Sequence, residues 1–156
     1  MSQLDFLVRL DDLRNHRFTR RAGAPELSQH QVLMGVERFA MTSNNITYAR
    51  LGHRLGYWSL FPAGEEGWGR IPAMGYGVVV ASRHSDVAVG DRYFGFFPMS
   101  RHLILDLADT KDGARLIASG AHRAELAAGY NTYDRVVAGP EELEDRTLLL
   151  RGLFMT

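Results

Sequence analysis

The sequence predicts a mainly β fold, and three observations carry that prediction. Leu4, Phe6, Val8 and Leu10 alternate with other residues, the period of a half-buried strand. Val32, Met34 and Val36 repeat the pattern within residues 31–41. The stretch from Ile71 to Gly95, IPAMGYGVVVASRHSDVAVGDRYFG, reads as two strands around a tight turn. In it, β-branched Val78, Val79 and Val80 follow Gly75 and Gly77, residues that let backbones approach closely. Val87-Ala88-Val89 then leads into Gly90-Asp91-Arg92. Glycine tolerates positive φ and aspartate bonds its own backbone, so this pair predicts a turn.

The other elements follow in order. Arg14 to Arg21 (RNHRFTRR) is a basic patch that suits a solvated strand and turn, with a phosphate contact as the alternative. Thr42-Ser43-Asn44 are cap-forming residues, so ITYARLG predicts a short helix ended by Gly52. His53 to Arg70 reads as a long loop whose rings, Tyr57, Trp58, Phe61 and Trp68, either line a pocket or pack as a small core. Arg92 to Pro98 and Arg101 to Asp106 predict further strands, and Asp109 to Ala128 a helical or irregular stretch. Tyr130 to Val137 reads as a short strand or turn. Glu141 to Leu153 carries acids in its first turns, which favours the start of a helix. Leu148, Leu149, Leu150, Leu153, Phe154 and Met155 leave an apolar segment that needs a covering surface: a continuation of the chain past Thr156, or the chain's own core.

Composition narrows the function classes. At 156 residues the chain is enough for one domain and too short for two ordinary ones. A hydrophobic content of 46% and a charged content of 23% describe a globular chain. The formal net charge is zero, so neither nucleic acid nor an anionic membrane is an expected partner. Cysteine is absent, which excludes disulfides and thiolate metal sites. The first residues show no apolar signal-peptide core and no run approaches the roughly 18 apolar residues of a membrane span, so a cytoplasmic protein is expected.

VLMGVERFAMTSNNITYARLG, then Pro72, Gly75, Gly77 and Val78 to Val80, then Val87 to Arg92 and MSRHLILD, stand in an order that resembles the N-terminal catalytic (GroES-like) domain of the medium-chain dehydrogenase/reductases. That order covers residues 1–106. A closer resemblance is to an uncharacterised bacterial branch, the domain of unknown function 2855. FAMTSNNITYA, YWSLFPA, GWGRIP, YNTYDR and LLRGLFMT carry it over nearly the whole chain. The resemblance implies a partly open antiparallel β-barrel with short peripheral helices, residues 1–156 forming one domain. It also implies that the apolar segment 141–156 leads into a nucleotide-binding domain.

Zinc-dependent relatives place a cysteine near Asn44–Asn45 and a His-Glu pair after Gly75. Here there is no cysteine, and Tyr76-Gly77 occupy the second place. The six histidines show no HxxxH or HExxH spacing. No metal is therefore expected, and the resemblance implies the zinc-free, quinone-oxidoreductase-like side. In that case NADPH, a small-molecule substrate and a second domain are the implied cofactor and partners. Asn44, Thr47 and Tyr48 would lie near the nicotinamide, with Tyr48 able to donate a hydrogen bond or proton to the reacting carbonyl. Thr47 stands where the family has an aspartate. Asn44 as a helix cap and Tyr48 as a packing residue are the alternative roles. Trp58, Phe61 and Trp68 would form the substrate pocket, and Arg50 an ion pair that fixes the loop, with a phosphate contact as the alternative. No GxGxxG occurs, and Gly64, Gly67 and Gly69 lie in an aromatic loop with no preceding strand. The function these features imply is the substrate-side domain of a zinc-independent NAD(P)H-dependent oxidoreductase. The alternative is a non-catalytic binding module that retains the barrel.

Overall fold

The computed structural model describes residues 2–108, 110 and 112–154. Asp109, Met155 and the side chain of Phe154 lie outside that set. Nine strands are described: β1 (Ser2–Arg9), β2 (His16–Ala22), β3 (Gln31–Phe39), β4 (Trp68–Gly69), β5 (Pro72–Ser82), β6 (Arg92–Pro98), β7 (His102–Leu107), β8 (Arg115–Ser119) and β9 (Thr132–Arg135). Five helices accompany them: α1 (Ser43–Arg50), α2 (Gly52–Leu55), α3 (Tyr57–Leu60), α4 (Ala128–Asn131) and α5 (Glu141–Phe154), with a 3₁₀ turn at Ala121–Arg123.

Six strands close an antiparallel barrel in the order β3-β5-β6-β9-β8-β7, with β7 pairing back onto β3. The mainly β barrel expected from the sequence is therefore present, and its ring is closed. A separate sheet, β2-β1-β4, lies outside it and touches it through the Asp5–Ser100 bridge. In β2 most side chains are exposed, so the basic patch is a solvated edge strand whose charges discourage further strand pairing.

β6 is buried along almost its whole length, which an antiparallel strand with one wet face would not be. One face packs within the barrel and the other is covered by helices. Glycines make the room. A Cβ at Gly75 would meet the backbone oxygen of Arg38 at 2.6 Å, the close backbone approach the sequence suggested. A Cβ at Gly95, directly opposite on β6, would stand 2.5 Å from the Tyr133 ring.

Several local expectations change. Val87-Ala88-Val89 is not a strand: Val87 is buried, Val89 is exposed, and the segment runs irregularly into a turn at Val89-Gly90. The Gly-Asp turn itself forms, with Gly90 at φ 93° and the Asp91 carboxylate accepting from the Ala88 amide at 2.9 Å. The stretch after Asp109 contains β8, not only irregular chain. The supposed long loop 53–70 holds the single-turn helices α2 and α3, separated by left-handed Gly56. The C-terminal helix forms as α5. Leu148 joins the core while Leu149, Leu150 and Leu153 stay exposed.

Candidate functional site

Thr42 starts α1. Its hydroxyl accepts from the Asn44 amide, and its own amide donates to Asn45 Oδ1 at 2.7 Å, a reciprocal cap. The cap residue is thus Thr42 and not Asn44. Asn45 is buried and its Nδ2 donates to the Pro72 carbonyl at 2.9 Å, fastening α1 to β5. Asn44 reaches the other way: its Nδ2 donates to the Gly152 carbonyl near the end of α5 at 2.7 Å. α5 is held in turn by Arg92, which grips Glu144 through both carboxylate oxygens at 2.7 and 3.0 Å, and by Arg38 on Asp145 at 2.8 Å.

This scaffold gives α1 two faces. Thr47 is exposed, and its hydroxyl lies 3.4 Å from the Ser43 carbonyl. Arg50 is exposed as well and, contrary to the ion pair expected of it, has no carboxylate partner among the described residues. Tyr48 points into the molecule, 2% exposed. Its ring meets Tyr57 edge-on at 4.9 Å and Phe96 at 5.9 Å. Tyr130 completes the group, 5.4 Å from the Tyr57 ring and 4.9 Å from Phe96, and its hydroxyl is 3.0 Å from that of Tyr57. The Tyr48 hydroxyl is buried and has no hydrogen-bond partner among the described residues.

Phe96 links this cluster to a cleft of about 190 Å³ that it shares with Met74, Phe94, Arg115, Asp134 and Arg151. Arg115 donates to Asp134 at 2.7 Å, and the Arg151 guanidinium lies 4.6 Å above the Phe94 ring. An apolar floor with cations at its edge suits a flat, electron-poor or anionic guest. Tyr48 is not among the residues that line this cleft; it lies behind Phe96.

The three rings assigned to a substrate pocket are placed separately. Phe61 is buried, lines another cleft between the outer sheet and the barrel, and carries the Arg123 guanidinium at 5.0 Å. Trp58 packs with Val8, Ala49, Ile71, Ala73 and Met99. Trp68 is covered by the guanidiniums of Arg17 at 4.0 Å and Arg9 at 5.7 Å. Tyr130, Asn45 and Arg151 were not singled out by sequence reasoning. Only Asn45 carried a local signal, as the third residue after Thr42 in a capping box.

Burial pushes the Tyr48 phenol up to about 12, with Tyr57 adding to the effect, and burial pushes Tyr93 up to about 12 as well. Tyr130 is raised for the same first reason, helped by its bond to Tyr57. All three are therefore neutral hydrogen-bond donors at neutral pH. A tyrosine in the unfolded chain ionises near 10. The folded chain holds these protons more tightly, so their contribution to stability is complete below about pH 10 and is lost as pH rises towards about 12. Denaturant unfolding at a series of alkaline pH values is expected to show a falling midpoint across that window, and a flat profile would contradict the burial of these phenols.

No group of described His, Asp or Glu residues is arranged to hold a metal ion. Among the described residues no helix is long and apolar enough to cross a membrane. No curated protein matches the chain. Residues 39–156, which include α1, all of the tyrosine cluster and α5, match a family described as "Protein of unknown function (DUF2855)", and the chain belongs to that family.

Proposed function

We propose that the chain is the substrate-side barrel of a zinc-independent NAD(P)H-dependent oxidoreductase acting on a quinone- or enone-type carbonyl compound. The observation that carries this reading is the Tyr48 hydroxyl, buried and unpaired on the helix that also bears Asn44 and Thr47. A buried polar atom without a partner costs about 1–3 kcal/mol, so it calls for a use. The resemblance of residues 1–106 to the medium-chain dehydrogenase/reductases, and the antiparallel barrel, support the same reading.

The residues present suit one end of a dinucleotide. Thr47 keeps an exposed hydroxyl oxygen, and Asn44 spends its amide nitrogen on α5 while its Oδ1 remains able to accept. Both suit a ring carboxamide. No glycine-rich phosphate cradle occurs in the sequence, so the remainder of the cofactor falls to a nucleotide-binding domain, proposed after Thr156. A bound reduced nicotinamide supplies a hydride. The chain's own part is to place the carbonyl compound over apolar Phe94 and Phe96, exclude water, and offer the neutral Tyr48 hydroxyl to the oxygen on which charge develops. Because Tyr48 lies behind Phe96, delivery of that bond requires the Phe96 or Tyr57 ring to shift.

Tyr48→Phe tests this. If the hydroxyl is kept for chemistry, its loss lowers kcat for quinone-dependent NADPH oxidation by roughly a hundredfold or more. It leaves stability unchanged or raises it by up to about 1 kcal/mol, since an unpaired buried group disappears. A fall in stability would mean that the hydroxyl has a structural partner, and the reading would lose its support. The covered position of Tyr48 and the Thr47 replacement favour a second reading, a binding module without turnover. In that case neither the parent nor the variant oxidises NADPH.

A further inference from the structure

The cleft of about 240 Å³ between the outer sheet and the barrel collects more positive charge than it neutralises. Arg21, Arg70 and Arg123 line it, and Asp5 is the only carboxylate among its lining residues. Asp5, 7% exposed, takes Arg70 Nη1 at 3.3 Å. Arg123 has no carboxylate partner among the described residues. It is 3% exposed, and its Nη1 reaches only neutral oxygens, Asn131 Oδ1 at 3.3 Å and the Tyr130 carbonyl at 3.5 Å. A buried guanidinium without a counter-charge is costly.

Two further nitrogens are buried with no partner among the described residues: Arg70 Nε, which can only donate, and His102 Nδ1, which donates in one tautomer of the ring. His122 lines the cleft beside Arg123. Burial holds both imidazoles below their usual range, and the next cause is a neighbouring cation, Arg101 for His102 and Arg123 for His122. The Arg21 charge likewise opposes that of Arg70. Apart from Gln3, the rest of the wall is apolar, with Leu33, Leu60 and Phe61 all buried.

We propose that this cleft binds an organic oxyanion, a carboxylate or phosphate head on a short apolar body. The head lies among the Arg21, Arg70 and Arg123 guanidiniums, and the body packs on Leu33, Leu60 and Phe61. Guanidinium forks match the paired oxygens of either head. The apolar wall and the small volume limit the body to about one ring or a short aliphatic chain. This site does not depend on the oxidoreductase reading, because it uses none of Asn44, Thr47 or Tyr48.

Titration of the ¹⁵N-labelled protein with benzoate and with phenyl phosphate, followed by amide shifts of Leu33, Leu103 and Ile104, tests it. Benzyl alcohol supplies the same ring without charge. At least one of the two anions is expected to give saturable shifts, and comparison of the two identifies the head. The alcohol is expected to bind at least about tenfold more weakly. Arg21→Gln removes an exposed charge that makes no side-chain hydrogen bond or ion pair among the described residues, and is expected to weaken binding by roughly two- to fivefold. The paired variant Asp5→Asn with Arg70→Gln removes both charges together, so that Asp5 is not left buried alone, and is expected to weaken it at least about tenfold. Absence of saturable shifts with either anion into the tens of millimolar, equal binding of the alcohol, or shifts indifferent to both variants would overturn the proposal.

Discussion

Tyr133→Ala is expected to remove about 3–5 kcal/mol of folding stability, a large part of what a domain of this size possesses. The Tyr133 side chain is fully buried in the barrel wall. Its ring meets Phe97 edge-on at 5.4 Å and fills the space left by Gly95. Its hydroxyl donates to the Phe96 carbonyl at 2.6 Å. Alanine would open a ring-sized cavity and leave that carbonyl without its side-chain partner. The effect divides. Tyr133→Phe keeps the ring and loses only the bond, for an expected cost of about 1–2 kcal/mol. Denaturant unfolding of the two variants measures both parts. Near-equal losses would mean that the hydrogen bond, not the packing, holds β9 to β6.

Arg92→Met is expected to release α5 while the barrel persists. Arg92 sits at the start of β6 with its side chain 12% exposed and its guanidinium 4.4 Å above the Tyr76 ring, and it pairs with both Glu37 and Glu144. Glu144 is 11% exposed at its side chain and also accepts from the Gly139 amide at 2.9 Å. Removal of the cation strands a largely covered carboxylate. The expected cost is about 2–4 kcal/mol, between the limits for surface and buried pairs. Hydrogen exchange is expected to quicken in residues 141–154 and to stay slow in β5 and β6. Loss of protection throughout would instead make α5 part of one cooperative unit with the barrel.

Acid should act on the same joint. The bond from Arg92 holds the Glu144 carboxyl below the usual range, with the Gly139 amide second. Its contribution to stability is present above the unfolded value near 4.3 and is lost as pH falls through the lowered folded value. Asp91, held down by Arg135, changes in the same direction.

The parts of the fold that local chemistry decides could be read in advance. Thr42-Ser43-Asn44 marked the start of α1, the acids of 141–144 the start of α5, and Gly90-Asp91 a turn. β8 escaped because Arg115 to Ser119 is short and shows only Leu116 and Ala118 to the core. Its boundaries were nevertheless marked by Gly113 and Gly120, both at positive φ. Val87-Ala88-Val89 misled because a β-branched run becomes a strand only where a neighbour pairs with it, and here the chain turns instead.

The candidate site was legible only on α1. Its other half comes from contacts between residues far apart in the chain. Tyr57 meets Tyr130, and Asn44 meets Gly152, through pairings that the barrel and α5 create. Neither Tyr130 nor Arg151 stands in a local pattern that names it. Trp58 and Trp68 stand out as rings in a glycine-rich stretch, yet one packs against Val8, Ile71 and Met99 and the other lies beneath arginines.

The most direct test of the account is a titration of the protein, expressed as its gene encodes it, with NADPH, followed by nicotinamide fluorescence. The account predicts saturable binding, weakened by a bulky replacement of exposed Thr47 such as Thr47→Trp, which leaves the buried side of α1 intact. No binding at millimolar NADPH would contradict the oxidoreductase reading and leave the barrel as a binding module.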